Sequence, residues 1–311
     1  MSLGEPPVWV LADPRAGTAS QAIGIAERLG LPFRSLQLEW GPLARLPLPF
    51  PNLLGLADRC AFRPPWPGLA LSAGRRSAPV ALWLKRRGVR VVHCMRAPGS
   101  AGFDLHVVGA HDAMPPAPNR LEILGAAHRI SPARIAEARD RFAGLAALPS
   151  PRVGLLLGGP VRAEGLDPAI AAALGRRVAG FAGSVMATAS RRTGAAATAA
   201  LAETLGPVPH RLHAWGGTEE NPLLGFMAWA DVLVVSGDSV SMLSEALVTA
   251  APVFIAPLGD EGPRHRALHE SLYAAGQARP LAEAPAPFAR EPRDEVGRIV
   301  DEITRRGLLG G

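Results

Sequence analysis

Polar residues follow the apolar run 231–236, where the sequence pattern becomes helical. Asp238, Ser239, Ser241 and Met242 open this stretch, and Glu245 lies one helical turn after Ser241. A helix N-terminus behind a buried strand offers free N–H groups to a phosphate, although these same residue types also cap helices. Glu245 does not complete a capping box, and its carboxylate could accept hydrogen bonds from the hydroxyls of a ribose. The loop therefore predicts nucleotide binding.

A second polar loop, Ser190-Arg191-Arg192-Thr193, follows the apolar run 182–188 and precedes another helical stretch. A cation at a helix N-terminus opposes the helix dipole by about 0.3–1 kcal/mol. Two adjacent arginines become favourable there if they share a phosphate with the helix N–H groups and the two hydroxyls. The alternative is that both arginines extend into solvent.

Two further loops of the second half could approach the same ligand. Gly158 and Gly159 follow the run 152–157, where the missing side chains would let the backbone approach a ligand or simply form a turn. Trp215 and Asn221 belong to the loop after the run 210–213 and could hold a base, with a purely structural role equally open.

The first half repeats this arrangement at its own strand ends. Asp13, Arg15 and Gly17 follow the run 7–12, and Gly74 and Arg75 follow the run 67–72. The Gly-x-Gly-x-x-Gly fingerprint of dinucleotide folds is absent at the first of these positions, which argues against a nicotinamide dehydrogenase. We expect these residues to contact an acceptor or a phosphate.

His111 and Asp112, after the run 104–108, are candidates for a general base that deprotonates an acceptor hydroxyl, with Asp13 as the rival. The sequence shows no Asp-x-Asp, His-x-x-x-His or carboxylate cluster, and no Gly-x-Ser-x-Gly elbow. It therefore predicts neither a metal site nor a cofactor, and no serine hydrolase.

Short apolar runs alternate with alanine-rich helical stretches, the pattern of parallel sheets with crossover helices. The predicted strands are 7–12, 33–38, 67–72, 90–95, 104–108, 152–157, 182–188, 210–213, 231–236 and 252–256. The proline-rich stretch near 148 divides the chain into domains 1–148 and 149–311, and the last helix, about 292–306, could fold back on the first domain. The segment 39–68 is either a packed loop or a surface for a partner or lipid.

Composition limits the class of protein. The chain has 311 residues, of which 48% are hydrophobic and 19% charged, so it can fill two globular cores. The net charge of +6 comes almost entirely from scattered arginines without a nucleic-acid-binding motif, so we expect no nucleic acid partner. Two isolated cysteines, no signal peptide pattern and no long apolar run predict a cytoplasmic protein, either free or peripheral to the inner membrane.

Taken together, these motifs resemble the bacterial members of the mitochondrial fission ELM1-like family over about residues 7–280. The residues that carry the resemblance are Asp13-x-Arg15-x-Gly17-x-x-x-Gln21, Gly74-Arg75, His111-Asp112, Gly158-Gly159, Ser190-Arg191-Arg192-Thr193, Asn221-Pro222 and Asp238-Ser239-x-Ser241-Met242-x-x-Glu245. The family is similar to GT-B glycosyltransferases, which implies an α/β fold with two Rossmann-like domains facing across a cleft. The chain departs from the family pattern at Leu223, where members tend to carry an aromatic residue.

The resemblance implies a metal-independent glycosyltransferase. The C-terminal domain would hold a nucleotide-diphosphate sugar, with Glu245 at the ribose and the loops 190–193 and 238–241 at the diphosphate. The N-terminal domain would bind a cell-envelope or lipid-linked glycan acceptor. Two alternatives stay open: a nucleotide-sugar epimerase on the same fold, and a non-catalytic adaptor at a membrane surface, as the plant relative's role in fission suggests.

Overall fold

A computed structural model of the protein describes residues 7–46, 50–99, 102–160, 165–259, 261–283 and 285–309. Residues 1–6, on which the signal-peptide prediction depends, lie outside the described residues, as do residues 47–49 of the segment 39–68. The chain divides into two compact units, Met1–Arg129 with Asp294–Gly311, and Ile130–Arg293.

The first unit contains a parallel six-stranded sheet. Its strands are β1 (Val8–Ala12), β2 (Phe33–Gln37), β3 (Leu69–Ala73), β4 (Arg90–Cys94), β5 (Leu105–Gly109) and β6 (Arg120–Ile123). They lie in the order β2-β1-β3-β4-β5-β6. The helices of this unit are α1 (Ala16–Leu29), α2 (Ala78–Lys85) and, from the end of the chain, α9 (Glu295–Arg305).

The second unit contains another parallel six-stranded sheet, in the order β12-β11-β10-β7-β8-β9. Its strands are β7 (Arg152–Leu157), β8 (Ser184–Ala189), β9 (His210–His213), β10 (Val232–Ser236), β11 (Val253–Ala256) and β12 (Arg279–Pro280). Its helices are α3 (Pro132–Arg141), α4 (Pro168–Ala179), α5 (Ala195–Leu205), α6 (Leu223–Trp229), α7 (Val240–Ala246) and α8 (Pro263–Ala274).

The central strands form because nearly every residue in them is apolar and buried. All five residues of β1, β3, β5 and β10 are buried, as expected for strands covered by helices on both faces. The predicted α/β fold is confirmed. Each of the ten predicted strands begins and ends within two residues of the ends of an observed strand. The sequence did not predict β6 and β12, which are short edge strands with mostly accessible residues.

The contacts divide the chain at 129/130 and not at 148/149. The reason is α3, which packs against α6 inside the second unit. The Arg139 guanidinium donates a hydrogen bond of 2.6 Å to the Ala228 carbonyl, and the Trp229 indole N–H donates one of 2.9 Å to the Arg139 carbonyl. The prolines near 148 therefore precede β7 within one unit.

The last helix, α9, belongs to the first unit. Val296, Ile299 and Ile303 are buried in the same apolar core as Ala22 and Ile25 of α1. The chain thus returns to the first unit after completing the second, and the sheet of the first unit is covered by residues from both ends of the chain.

Candidate functional site

The order of strands in the second sheet creates a crevice at the carboxyl ends of β7 and β10. From β7 the chain continues to β8 on one side, whereas β10 leads to β11 on the other. Loops at such a point diverge to opposite faces of the sheet, and ligands of open α/β sheets bind there. The loop after β7 and the loop after β10 meet at this position, and β8 lies beside β7.

Gly158 and Gly159 are required by the close approach of these loops to one another. The Gly158 N–H donates to Ser236 Oγ (2.8 Å), and the Gly159 N–H donates to Asp238 Oδ2 (2.8 Å). A Cβ on Gly158 would lie 2.6 Å from both carboxylate oxygens of Asp238, and one on Gly159, whose φ is 153°, would lie 2.2 Å from the Arg192 carbonyl oxygen. The sequence suggested close approach to a ligand, whereas the structure shows neighbouring protein at both positions.

Arg192 and Asp238 connect the three loops. Arg192 Nη1 donates to the Gly159 carbonyl oxygen (2.6 Å) and lies 3.0 Å from Asp238 Oδ2. The second oxygen, Asp238 Oδ1, is buried without a hydrogen-bond partner among the described residues. Arg191, by contrast, is exposed. Of the two adjacent arginines, only Arg191 therefore has a side chain directed away from the protein.

The Thr193 hydroxyl is used within the protein. Thr193 is fully buried, and its Oγ1 lies 2.5 Å from the Gly158 carbonyl oxygen and accepts the Ser190 N–H (2.9 Å). Ser190 Oγ in turn accepts the Arg192 N–H (3.2 Å). The Thr193 hydroxyl is therefore already used by the protein and does not make the predicted phosphate contact, because its hydrogen bonds hold the loop closed. Helix α5 starts after this loop, at Ala195, with Gly194 as N-cap and no side-chain cap.

In the loop after β10, Ser239 is the N-cap of α7 and accepts the Met242 N–H (3.4 Å). Ser241 and Met242 remain partly accessible, as does Glu245 one turn later. Helix α7 has only seven residues. Of the capping alternatives that the sequence left open, the structure selects Ser239.

Glu245 is the most perturbed acid of this loop. Burial raises the pKa of its carboxyl from an ordinary 4.5 to about 7. Among the described residues no hydrogen bond or ion pair to this carboxyl compensates for the burial. A carboxyl in this state can lose its proton near neutral pH, or bind a hydroxyl-bearing ligand that supplies the missing hydrogen bonds.

The loop after β11 also reaches this position, and sequence reasoning missed it. His269 Nε2 lies 2.8 Å from the Gly237 carbonyl oxygen, and a Cβ on Gly237 would lie 2.9 Å from Glu261 Oε1. Burial lowers the pKa of His265, while the neighbouring Asp238 carboxylate opposes that change. Arg264 and His265, in the first turn of α8, were the available signal, because they repeat the pattern of basic residues at a helix N-terminus.

Asn221 is not part of this cluster. Its Oδ1 accepts the Leu223 N–H (3.0 Å) at the start of α6, which is a structural role. The loop that precedes it follows β9, the edge strand two positions from β7, and there Trp215 is 64% exposed. Exposed rings of this kind are available for stacking, but the tertiary structure leaves this one away from the junction of β7 and β10.

In the first unit, β1 and β3 are neighbours, so the loops that follow them lie side by side. Asp13 is buried, and each of its oxygens already accepts a hydrogen bond, Oδ1 from the Arg15 N–H (2.9 Å) and Oδ2 from the Trp40 indole N–H (2.8 Å). This geometry favours a structural role for Asp13 over a general base. Gly74, with a φ of 86°, is packed on Thr18 of α1.

The remaining predicted residues of the first unit are divided between two places. Arg15 and Gly17 are exposed at the start of α1, and Arg75 is exposed after β3. His111 and Asp112 form a short 3-10 turn after β5, two strands away from β3. His111 is buried and its ring packs over Gly109, where a Cβ would lie 2.2 Å from Cε1. Of the candidate bases, Asp13 therefore lies in the loop after β1, whereas His111 and Asp112 follow a strand that is not adjacent to β1 or β3.

Two features are absent from the described part of the chain. It contains no set of three or more His, Cys, Asp or Glu side chains arranged to hold a metal ion. None of its helices combines the length and hydrophobicity that a membrane-spanning segment needs.

Solved structures with a similar fold support the two-sheet architecture. MurG of Acinetobacter baumannii superposes with a TM-score of 0.54 at 12% identity, over 97% of this chain and 91% of that protein. A Listeria monocytogenes protein classed provisionally as a UDP-N-acetylglucosamine 2-epimerase gives a TM-score of 0.51 at 13% identity, over 96% and 87%. At these sequence identities the similarity shows the fold alone. It confirms the predicted GT-B type of fold.

Sequence comparison identifies the family. The mitochondrial fission protein ELM1 of Arabidopsis thaliana is 35% identical over 148 residues, which is 45% of this chain but only 34% of the plant protein. The matched region thus spans about a third of that relative. The pattern of the Mitochondrial fission ELM1 family matches residues 16–307, nearly the whole chain. The chain therefore belongs to the Mitochondrial fission ELM1 family.

Proposed function

We propose that the second unit binds a nucleotide-diphosphate sugar at the junction of β7 and β10 and that the protein is a metal-independent glycosyltransferase. The observation that carries the proposal is the convergence of three loops on one ion pair. Gly159, Arg192 and Asp238 hold these loops in contact at the position where open α/β sheets bind ligands. The similarity in fold to MurG and to the Listeria protein supports the same class of ligand.

Each side chain has a distinct role in this proposal. Arg191, which is exposed, pairs with the diphosphate, and the N–H groups at the start of α5 contribute further donors. Glu245 binds the ribose hydroxyls, which replace the hydrogen bonds that its buried carboxyl lacks. Arg192 positions the loops and does not contact the ligand.

In the transfer step, an acceptor hydroxyl attacks the anomeric carbon while the bond from that carbon to the diphosphate oxygen breaks. The hydroxyl proton passes to a general base, and the nucleoside diphosphate leaves with the bonding electron pair. Arg191 stabilises the negative charge that develops on the departing oxygen. His111 and Asp112 remain candidates for the base, and loops of the first unit are proposed to bind a glycan or lipid-linked acceptor.

A second function, epimerisation of the nucleotide sugar, is favoured by one observation. One of the similar folds belongs to a protein classed provisionally as a UDP-N-acetylglucosamine 2-epimerase. An epimerase would use the same nucleotide site but would need no acceptor. The adaptor alternative is supported by the family name alone, and it predicts no nucleotide binding.

Calorimetry with UDP, GDP, ADP and CMP tests the site directly. We expect one diphosphate series to bind saturably, and both Glu245→Ala and Arg191→Ala to weaken its binding by about tenfold or more, as expected for lost charged hydrogen bonds. Arg90→Ala is the matched control, because Arg90 is exposed at the amino end of β4 in the first unit. Absence of binding by every nucleotide would refute both enzymatic proposals.

NMR of the nucleotide sugar then separates the two activities. An epimerase converts the sugar without any acceptor, whereas a transferase releases the nucleoside diphosphate only when an acceptor is added. Appearance of an epimerised nucleotide sugar in the acceptor-free sample would replace the transferase proposal with the epimerase.

A further inference from the structure

The segment after β2 forms a loop that is closed at its base. The Gly41 N–H donates to the Gly55 carbonyl oxygen and the Ala57 N–H to the Glu39 carbonyl oxygen, each at 2.9 Å. Trp40 and Leu56 form an antiparallel bridge between these contacts. The described residues between these contacts, 42–46 and 50–54, belong to one compact loop of the Ω type.

Hydrogen bonds of Asn52 hold this loop both to α2 and internally. The Asn52 N–H donates to the Pro79 carbonyl oxygen at the start of α2 (3.1 Å). The Asn52 side chain donates to the Phe50 carbonyl oxygen (2.6 Å) and accepts the Leu54 N–H (2.8 Å). Asn52 itself is buried, so these hydrogen bonds fix the backbone of the loop.

Four residues of this loop are apolar and exposed. Leu43, Leu46, Phe50 and Leu54 are 43%, 51%, 50% and 41% exposed, and we call these four residues the apolar tip. In the described part of the chain only two other large apolar side chains, Trp215 and Leu309, are comparably exposed. Exposed apolar residues grouped in one loop mark an interaction surface, whereas isolated ones are ordinary.

The charges around the apolar tip are positive. From residue 40 to residue 57 the only charged residue is Arg45, which is exposed. Leu46 and Asn52 line a small cavity together with Arg75 and Arg76, which brings two more guanidinium groups to the edge of the tip. The carboxylates of Glu39 and Asp58 stand outside the base of the loop.

We propose that the apolar tip docks on an anionic lipid bilayer, with Leu43, Leu46, Phe50 and Leu54 entering the headgroup boundary. Arg45, Arg75 and Arg76 then contact lipid phosphates, since guanidinium groups pair with phosphate while their aliphatic stems lie along apolar surface. A bilayer fits better than a protein partner because the exposed side chains among the described residues of this loop are apolar, apart from that of Arg45. The proposal is independent of the nucleotide site.

Vesicle co-sedimentation of the full chain tests the proposal. We expect binding to vesicles of phosphatidylglycerol and phosphatidylcholine that falls with added salt, and much weaker binding to phosphatidylcholine alone. Leu46→Glu combined with Phe50→Glu should reduce binding by about tenfold or more, because two apolar contacts become like-charged with the lipid. Leu309→Glu, an exposed apolar residue outside the tip, should bind as the wild type does.

Circular dichroism of the double variant checks that it is folded, and Arg45→Gln with Arg76→Gln provides a second variant that spares the apolar residues. Hydrogen exchange of the wild type should show vesicle-induced protection in peptides covering 42–54. Equal binding by the wild type and both tip variants, or no binding to anionic vesicles, would overturn the proposal. So would self-association of the wild type that the tip variant abolishes without any vesicle binding, since it would identify a protein interface.

Discussion

Replacement of Glu245 by glutamine tests the environment of its carboxyl, which lies partly buried on α7 after the β10 loop. Burial raises the pKa of Glu245 from an ordinary 4.5 to about 7. In the folded state the carboxyl therefore holds its proton to higher pH than in the unfolded state. The free energy of unfolding must then fall as the pH rises from about 4.5 to about 7.

The pKa difference sets the size of this effect. At 1.36 kcal/mol for each pH unit, a pKa of about 7 against 4.5 corresponds to at most about 3 kcal/mol. Glu245 is partly accessible to solvent, so about 3 kcal/mol is an upper limit on the change in the free energy of unfolding. Glutamine has a similar shape and no proton to lose. Glu245→Gln should accordingly match the wild type near pH 4.5 and be more stable than it by about 1–3 kcal/mol at pH 8.

Thermal unfolding by calorimetry between pH 4.5 and pH 8 provides the measurement. The matched control is Glu203→Gln, because Glu203 is exposed on α5 and its replacement should leave the pH dependence unchanged. If Glu245→Gln is no more stable than the wild type at pH 8, the carboxyl is solvated and the reasoning from burial is wrong. The same variant should still bind nucleotide more weakly, since an amide cannot accept two hydrogen bonds from a ribose as a carboxylate does.

Three other substitutions test the packing of the two units and the positioning role of Arg192. Gly159→Ala should lower the free energy of unfolding by about 2 kcal/mol more than Gly216→Ala, because both glycines have positive φ but only at Gly159 would the new Cβ meet a carbonyl oxygen, at 2.2 Å. Arg192→Lys should weaken nucleotide binding about tenfold in calorimetry, since lysine cannot hold both the Gly159 carbonyl and the Asp238 carboxylate; unchanged affinity would contradict the positioning role. Ile299→Ala should cost about 2–5 kcal/mol in chemical denaturation because Ile299 is fully buried in the core of the first unit, and a cost below 1 kcal/mol would show that α9 is dispensable.

The strands could be predicted from the sequence because their signal is local. A run such as Val8–Ala12 is apolar at every position, and only a strand buried on both faces accommodates it. The polar residues that follow each run then had to lie at the carboxyl ends of parallel strands. The short edge strand β12 could not be predicted in this way, because both of its residues are exposed.

The order of the strands was not available from the sequence. Gly159 and Asp238 are 79 residues apart along the chain and are brought into contact only because β10 pairs with β7. For the same reason the contribution of the loop after β11, with Glu261 and His265, became visible only in three dimensions. Pairing between distant strands depends on the packing of the whole sheet, which no local pattern encodes.

By itself, the sequence of this protein determined its α/β class, the positions of its loops and its family resemblance, since all three depend on residue types at fixed spacings. The tertiary structure decided which side chains are available. Arg191 and Arg192 are adjacent and chemically identical, yet only Arg192 pairs with Asp238, while Arg191 is exposed. Glu245 likewise looks in the sequence like an ordinary helical glutamate, and only its environment in the fold raises the pKa of its carboxyl. Burial and partnership depend on what the fold places around a side chain, and for that reason only the folded chain could decide them.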